Sequence, residues 1–124
     1  MLVVTRHRVD PAAAPEFLAR ARATVGALAG RPGCRSTYIG RAVDDATLWV
    51  IASVWDAVGS YRRAIDSYDV KVTASPLLAQ ALDEPTAFEL LETGDAPGAT
   101  ALAADAGAVA VGEAAAPVVP TDLD

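Results

Sequence analysis

The segment TLWVIASVW, residues 47–55, is the longest run in the chain with the composition of a β-strand. Successive side chains of a strand point to opposite faces. One face of this strand would carry Leu48, Val50, Ala52 and Val54, and the other Thr47, Trp49, Ile51, Ser53 and Trp55. Because both faces carry apolar residues, the strand should be covered on both sides. We therefore expect a central strand around which the other elements are arranged.

A strand and a helix are predicted before this segment. The strand covers residues 2–9, and Asp10-Pro11 breaks it. The helix covers residues 15–29 and ends before the sequence GRPG, which supplies glycine for a helix end and a proline that bars continuation. The spacing predicts a sheet-facing side made of Phe17, Leu18, Ala21, Val25 and Leu28, and a water-facing side that includes Arg20, Arg22 and Thr24.

The central strand has one strand directly before it and several shorter elements after it. A strand that begins at residue 34 or 35 and ends at 42 should form an antiparallel hairpin with it through Asp44-Asp45. Asp56 is suited to cap a helix at 57–66, and residues 67–74 fit either a loop or an irregular helix. Ser75-Pro76 suits the start of a short helix over 77–82, and a last strand is predicted at 86–92.

This order, β-α-β-β-α-(α)-β, predicts an α+β fold of the ferredoxin-like type, an antiparallel sheet with helices on one face. The other face would expose an apolar surface that water does not favour, and a two-fold homodimer would cover it. That face carries Leu2, Val4, Val50, Ala52 and Val54.

Charge divides the chain into a domain at 1–93 and a tail at 94–124. The first part holds ten basic and eleven acidic residues, whereas the tail holds five acids and no base. The tail is rich in alanine, glycine and proline, so we expect disorder there, or a short added strand at 109–111 or 118–119. The sequence contains no concentrated cluster of basic residues of the kind that binds nucleic acid, so we do not expect a nucleic-acid-binding protein.

Cys34 is the only cysteine and His7 the only histidine, so neither an internal disulfide nor a cysteine-based zinc site is expected. The apolar opening, residues 1–4, meets Arg6 and Arg8 too soon for a signal or membrane segment. We expect a cytoplasmic protein with no metal and no membrane partner.

Three features together resemble the antibiotic biosynthesis monooxygenase family over about residues 2–92. They are the strand-to-helix opening, the turn Arg31-Pro32-Gly33-Cys34, and Val54-Trp55-Asp56, where the family ends a long strand with tryptophan and enters a helix through an acidic residue. The resemblance implies a dimeric α+β barrel and a pocket between sheet and helices. It also implies a cofactor-independent monooxygenase that oxidises a polycyclic aromatic substrate, such as an anthrone or hydroquinone, with O2 to a quinone in polyketide or other secondary metabolism.

Two other functions remain open: a dimeric protein that binds a small ligand without catalysis, and a cyclase or isomerase that uses the same pocket. Oxygenation without a cofactor requires a flat apolar site, a group that removes a proton, and donors that stabilise the resulting anion.

Haem degradation is not expected of this chain. A haem-degrading branch of the family uses an asparagine on the first strand and a histidine on a later helix. This chain has no asparagine, its matching position falls at or near Thr5, and residues 69–78 lack histidine.

The catalytic candidates are Trp55, the family tryptophan, and His7, the natural base near neutral pH. Each has an alternative reading, Trp55 as a core residue at the strand-helix corner and His7 as a bonded histidine within the sheet. The candidate substrate contacts are Thr5, Trp49, Ile51, Tyr61 and Tyr38, for which packing or surface roles are the alternatives.

Overall fold

A computed structural model describes residues 1–94 as a four-stranded antiparallel sheet with helices packed on one face. The strands lie in the order β2-β3-β1-β4, so the predicted α+β, ferredoxin-like arrangement is confirmed. The elements are β1 (Leu2–Arg8), a 3-10 turn (Pro11–Ala13), α1 (Ala14–Ala29), β2 (Cys34–Ala42), β3 (Asp45–Trp55), α2 (Val58–Asp66), α3 (Tyr68–Thr73), α4 (Ser75–Leu78) and β4 (Ala87–Phe88).

β3 is a central strand, because it pairs with β2 on one side and β1 on the other. The β1 pairing runs from Leu2 opposite Val54 to Arg8 opposite Leu48. The two faces of β3 differ as the alternation predicts. The buried face consists of Trp49, Ile51, Ser53 and Trp55, and the half-buried face consists of Leu48, Val50, Ala52 and Val54.

β1 follows the same alternation, and its helix-facing side chains are Val3, Thr5 and His7, all buried. Its other face, which includes Val4 and Arg6, shares the open side of the sheet with the half-buried residues of β3. The pairing therefore places apolar side chains on both faces of the sheet, and the helices cover only one of them.

The core between sheet and helices divides into two apolar clusters that lie along β3. The first gathers around Trp55 and includes Val3, Leu28, Ala64, Val70 and Ala74. The second gathers around Trp49 and Ile51 and includes Val9, Phe17, Ala21 and Leu77. Because α1 contributes Leu28 to one cluster and Phe17 to the other, it spans both.

Thr24 corrects the predicted orientation of α1. The spacing predicts that it faces water, yet it is fully buried together with Phe17, Ala21 and Leu28. Its hydroxyl donates to the Arg20 carbonyl one turn earlier at 2.9 Å, which satisfies the group without a solvent partner. A threonine that bonds to its own helix can therefore occupy an apolar interface.

The elements after β3 also differ from the expectation. Residues 68–73 form helix α3, and α4 begins at Ser75 with Ala74 as its N-cap, so Ser75 caps nothing. The last strand, expected over 86–92, is only Ala87–Phe88 at the edge beside β1. Of the predicted tail, 94–124, only Gly94 is among the described residues, so the candidate strands at 109–111 and 118–119 lie outside them.

The N-cap of α2 is Ala57 and not the predicted Asp56, and a glycine packs against the corner where the helix begins. Ala57 is the N-cap and makes no side-chain bond, whereas the Asp56 carboxylate accepts from the Ser60 hydroxyl at 2.5 Å. Gly33 lies against both groups with φ of 90°, and its carbonyl accepts the Asp56 amide at 2.9 Å. The turn before β2 is thus fixed to the corner where β3 enters α2.

Every helix among residues 1–94 is too short or too polar to cross a membrane.

Replacing Gly33 by alanine should destabilise the fold. The left-handed backbone costs an L-residue about 1–2 kcal/mol, and a Cβ there would lie 2.7 Å from Asp56 Oδ1 and closer still to Ser60 Oγ. We expect Gly33→Ala to lower the free energy of unfolding by about 2 kcal/mol or more in urea titrations.

Gly26→Ala is the matched control for this prediction. Gly26 lies in α1, and an added methyl group would meet nothing within 4 Å, so alanine should stabilise by about 0.5–1 kcal/mol through helix propensity. Equal stabilities for the two variants would contradict the described turn.

Candidate functional site

A cleft of about 220 Å³ opens where β1 ends and α1 begins. Its floor holds His7 and Phe17, one from each element, and its rim is polar. The full lining is His7, Arg8, Val9, Asp10, Ala13, Glu16, Phe17, Arg20 and Gln80. The cleft therefore combines an aromatic surface and an imidazole with charged groups at its edge.

His7 is 3% exposed and lies opposite Trp49 in the sheet. Its ring packs against Phe17 at a centroid distance of 5.4 Å. Burial disfavours the charged imidazolium, so the pKa of His7 is lowered from its ordinary value of 6.5. At neutral pH the ring is therefore an uncharged imidazole, which is the form that accepts a proton.

Thr5 lies beside His7 on the same face of β1 and is also buried. Thr5 Oγ1 and His7 Nε2 are 2.9 Å apart, and Thr5 Oγ1 lies 3.4 Å from the Ile51 carbonyl across the strand pair. Thr5 and Ile51, predicted as substrate contacts, therefore lie beneath the helices, and the polar group of Thr5 is directed to His7.

Trp55 lies in the other apolar cluster, at the far end of the same sheet face. Six residues of strand separate it from Trp49, which is about 20 Å at about 3.3 Å per residue. Its side chain is 1% exposed, and its indole N–H donates to Ser53 Oγ at 2.8 Å. The two predicted catalytic residues thus share a face without sharing a cleft, since His7 pairs with Trp49.

Tyr61 accompanies Trp55 rather than His7. Its ring meets the Trp55 ring edge-on at 5.4 Å, and burial raises the pKa of its phenol. Both residues contribute to the cluster that joins β3 to the α2–α3 layer. In this arrangement Trp55 is a core residue at the strand-helix corner, which is the alternative to a catalytic role.

Tyr38 lies on the opposite face of the sheet from the cleft. It pairs with Ala52 and is 41% exposed, so it belongs to the open face. Tyr38 is a predicted substrate contact, and the register of the β2–β3 hairpin places it on the face of the sheet opposite to His7. A ligand against His7 cannot touch it.

Trp49 is the tryptophan near the cleft. Its ring meets Phe17 edge-on at 5.3 Å, and the guanidinium of Arg41 lies 5.3 Å from the ring centroid. Within residues 1–94, its Nε1 is one of two buried side-chain nitrogens that lack a hydrogen-bond partner. Trp49 therefore has an uncommitted donor, whereas the N–H of Trp55 is already paired.

Sequence reasoning missed the side of the cleft contributed by α1. It assigns Phe17 to the core and gives Glu16, Arg20 and Gln80 no site role. Glu16 and Arg20 are four residues apart and flank Phe17, which places them on neighbouring turns of one helix face. The spacing of Glu16 and Arg20 could have indicated that they share a face of the helix. Gln80 lies far away in the sequence, and no local pattern indicates that it joins the cleft.

Two surface ion pairs use arginines that neighbour His7 in sequence. Arg6 pairs with Glu84 at 3.2 Å on the open side, and Arg8 pairs with Asp45 at 2.8 Å. Bonds from Thr47, followed by the contact with Arg8, lower the pKa of Asp45 to about 2. Across residues 1–94, no group of three or more His, Cys, Asp or Glu side chains is arranged to hold a metal ion.

The sequence model of the antibiotic biosynthesis monooxygenase family matches residues 1–73, more than half of the 124-residue chain. This chain belongs to that family. No curated protein matches it.

Several solved structures resemble this chain in fold. SnoaB of Streptomyces nogalater, described as a cofactor-independent oxygenase, is 26% identical, covers 74% of this chain and 96% of its own, and gives a TM-score of 0.58. Rv0793 of Mycobacterium tuberculosis is 18% identical over 76% of this chain and 97% of its own, with a TM-score of 0.60. A conserved protein of Methanosarcina mazei Go1 is 23% identical over 69% and 84%, with a TM-score of 0.57. The last two show the fold alone.

The lowered pKa of His7 predicts a pH-dependent stability. At pH values between that lowered pKa and 6.5, His7 is protonated in the unfolded chain but uncharged in the native state. The free energy of unfolding should therefore fall as the pH falls through this window.

Urea unfolding of the wild type and of His7→Gln, from pH 5 to 8, measures this contribution. All other titrating groups are shared, so the stability of the wild type relative to the variant should decrease towards acid pH. A difference that does not change with pH would contradict the buried, neutral imidazole.

Proposed function

We propose that this protein is a cofactor-independent monooxygenase that oxidises an electron-rich aromatic ring bound against His7. The single observation that carries the proposal is the buried, neutral imidazole at the floor of a cleft beside Phe17. Family membership and the 26% identity to SnoaB, described as a cofactor-independent oxygenase, support it.

In the proposed reaction, His7 removes a proton from the substrate, as an anthrone CH2 or a ring hydroxyl would allow. The resulting anion transfers an electron to O2, and a new C–O bond forms. For a CH2 group, cleavage of the O–O bond then releases water and leaves C=O, so that CH2 and O2 become C=O and H2O. For a hydroquinone, the new C–O bond forms at a ring CH, and cleavage of the O–O bond gives a hydroxyquinone and H2O. The proton held by His7 leaves with that water.

The anion formed in the first step needs a donor, and our candidates are Arg20 and Gln80, whose side chains line the cleft with His7. A guanidinium or amide N–H group placed against developing negative charge stabilises it. The Nε1 of Trp49 has no partner among the described residues, but Trp49 does not line the cleft. The N–H of Trp55 is committed to Ser53.

The size of the cleft bears on the substrate. Its volume of about 220 Å³ is below the roughly 300–1,000 Å³ typical of ligand pockets. We therefore propose that one ring of a polycyclic substrate, of the kind met in polyketide or other secondary metabolism, enters the cleft while the remainder stays at its open side.

The location of the protein is a separate proposal. Cys34 forms no disulfide within the chain, and we propose a cytoplasmic location.

Oxygen uptake by metal-free and flavin-free protein tests the oxygenase. Hydroquinones and anthrones of one, two and three rings should be consumed faster than by spontaneous oxidation. His7→Gln should lower kcat/KM by about 10²–10⁴-fold, because it removes the base. Tyr68→Phe, on an exposed residue of α3, is the control and should retain the wild-type rate.

No rate above the spontaneous one across this panel would overturn the oxygenase. Two outcomes would point to the alternatives. Turnover without oxygen uptake would indicate a cyclase or isomerase. Quenching of the tryptophan fluorescence by a ligand without turnover would indicate a binding protein.

The open face of the sheet leads us to propose a two-fold homodimer of the domain at 1–93. Leu2, Val4 and Val54 are half-buried there, beside Phe88 at 44% exposure. A second copy placed face to face would remove this apolar surface from water, as a dimeric α+β barrel does.

Sedimentation at micromolar concentration should give about twice the chain mass of 12.7 kDa. Val54→Lys places a charge on the apolar part of the open face, beside Leu2, and should yield a folded monomer. Val72→Lys makes the same change on an exposed site of α3 and should remain dimeric. A monomeric wild type would contradict the proposal.

A further inference from the structure

The ring of His7 makes one side-chain hydrogen bond among the described residues, and its partner is the hydroxyl of Thr5. The Nε2–Oγ1 distance is 2.9 Å, and both residues lie buried on adjacent helix-facing positions of β1. The same oxygen lies 3.4 Å from the Ile51 carbonyl. This second contact is long and therefore the weaker of the two, but it gives the hydroxyl proton an acceptor.

The count of protons decides which nitrogen of His7 is free. Thr5 has a single hydroxyl proton, and a carbonyl oxygen only accepts. Both contacts are satisfied at once when Thr5 donates to the Ile51 carbonyl and accepts from His7 Nε2–H. The neutral ring then carries its lone pair on Nδ1. In the reverse arrangement Nε2 would accept from Thr5, Nδ1 would carry the proton, and no nitrogen would be available as a base.

We propose that Thr5 is a positioning residue that holds His7 in the Nε2–H tautomer, leaving Nδ1 to accept the proton of the substrate. The catalytic part of this statement rests on the proposed function. Thr5 itself does not touch the substrate, because it lies beneath the helices and does not line the cleft.

The surroundings make the orientation of this ring specific. Phe17 packs on the ring at 5.4 Å, and the β1–β3 pairing fixes the backbone on both sides of Thr5, which is paired with Ile51. Valine has nearly the shape of threonine and would fill the same space without an acceptor. A role in packing alone therefore tolerates Thr5→Val, whereas the proposed role does not.

The chain offers a direct measurement because it contains one histidine. In protein labelled with ¹⁵N at histidine, the imidazole spectrum comes from His7 alone. The wild type at neutral pH should show one tautomer, with the proton on Nε2 protected from exchange. Thr5→Ser should preserve both features. Thr5→Val should speed exchange of the Nε2 proton about tenfold and introduce the second tautomer.

Thr24→Val is the matched control. Thr24 is also a buried threonine, but its hydroxyl bonds to the carbonyl of Arg20 within its own helix, so its loss should leave the spectrum of His7 unchanged. A proton on Nδ1 in the wild type would overturn the proposal, as would a Thr5→Val variant with an unaltered Nε2 proton. If Thr5→Val fails to fold, the wild-type and Thr5→Ser spectra still decide the position of the proton.

Activity provides a separate measurement. Thr5→Val should lower kcat at least about tenfold with little change in KM, and Thr5→Ser should restore it. Since the spectra need no substrate, the two ideas fail separately. A wild type with the Nε2 proton held by Thr5 but without oxygen consumption would overturn the proposed function and leave the positioning of His7 intact.

Discussion

The register between β1 and β3 is the constraint on which the rest of the structure depends. Leu2 lies opposite Val54, and Arg8 lies opposite Leu48. Because side chains alternate, this register sends Thr5 and His7 towards the helices together with Ile51. A slip of one residue would turn His7 out to the open face and bring Arg6 or Arg8 into the core. The burial of the apolar positions on both strands opposes that slip.

The same register places polar groups inside an apolar layer, and most of them are satisfied close by. Ser53 accepts from Trp55, Thr24 donates within its own helix, and Thr5 bonds to His7. Burying such groups without partners costs free energy, so the pairing is a condition of the fold. It also determines which groups remain free for chemistry. Of the two tryptophans, Trp49 alone has an N–H without a partner among residues 1–94.

The position of Thr5 gives the family comparison a physical meaning. In the haem-degrading branch of the family an asparagine stands at or near this place on the first strand, and this chain has no asparagine. Here a threonine occupies it and bonds to a histidine two residues further along the strand. The chemistry proposed for this chain therefore centres on a base at His7, which lies at the opposite end of the sheet from the family tryptophan, Trp55.

The sequence by itself determined the order of the four strands and the first two helices, the central position of β3 and the two faces of β1 and β3, because these follow from local pattern within each segment. It also identified the family, through Val54-Trp55-Asp56 and the turn at Gly33.

The sequence did not determine the grouping of the site residues. The sequence names Tyr38 as a candidate contact, but the hairpin register decides its face, and that register depends on pairing between two strands. Only the tertiary structure decided which residues share a cleft. Phe17 and Gln80 join His7 because α1 and the segment after α4 pack over the end of β1. Alternation within a strand determines which face of the sheet a side chain points to. The distance between two side chains on different elements depends on how those elements pack, and the local sequence pattern contains no information about that packing.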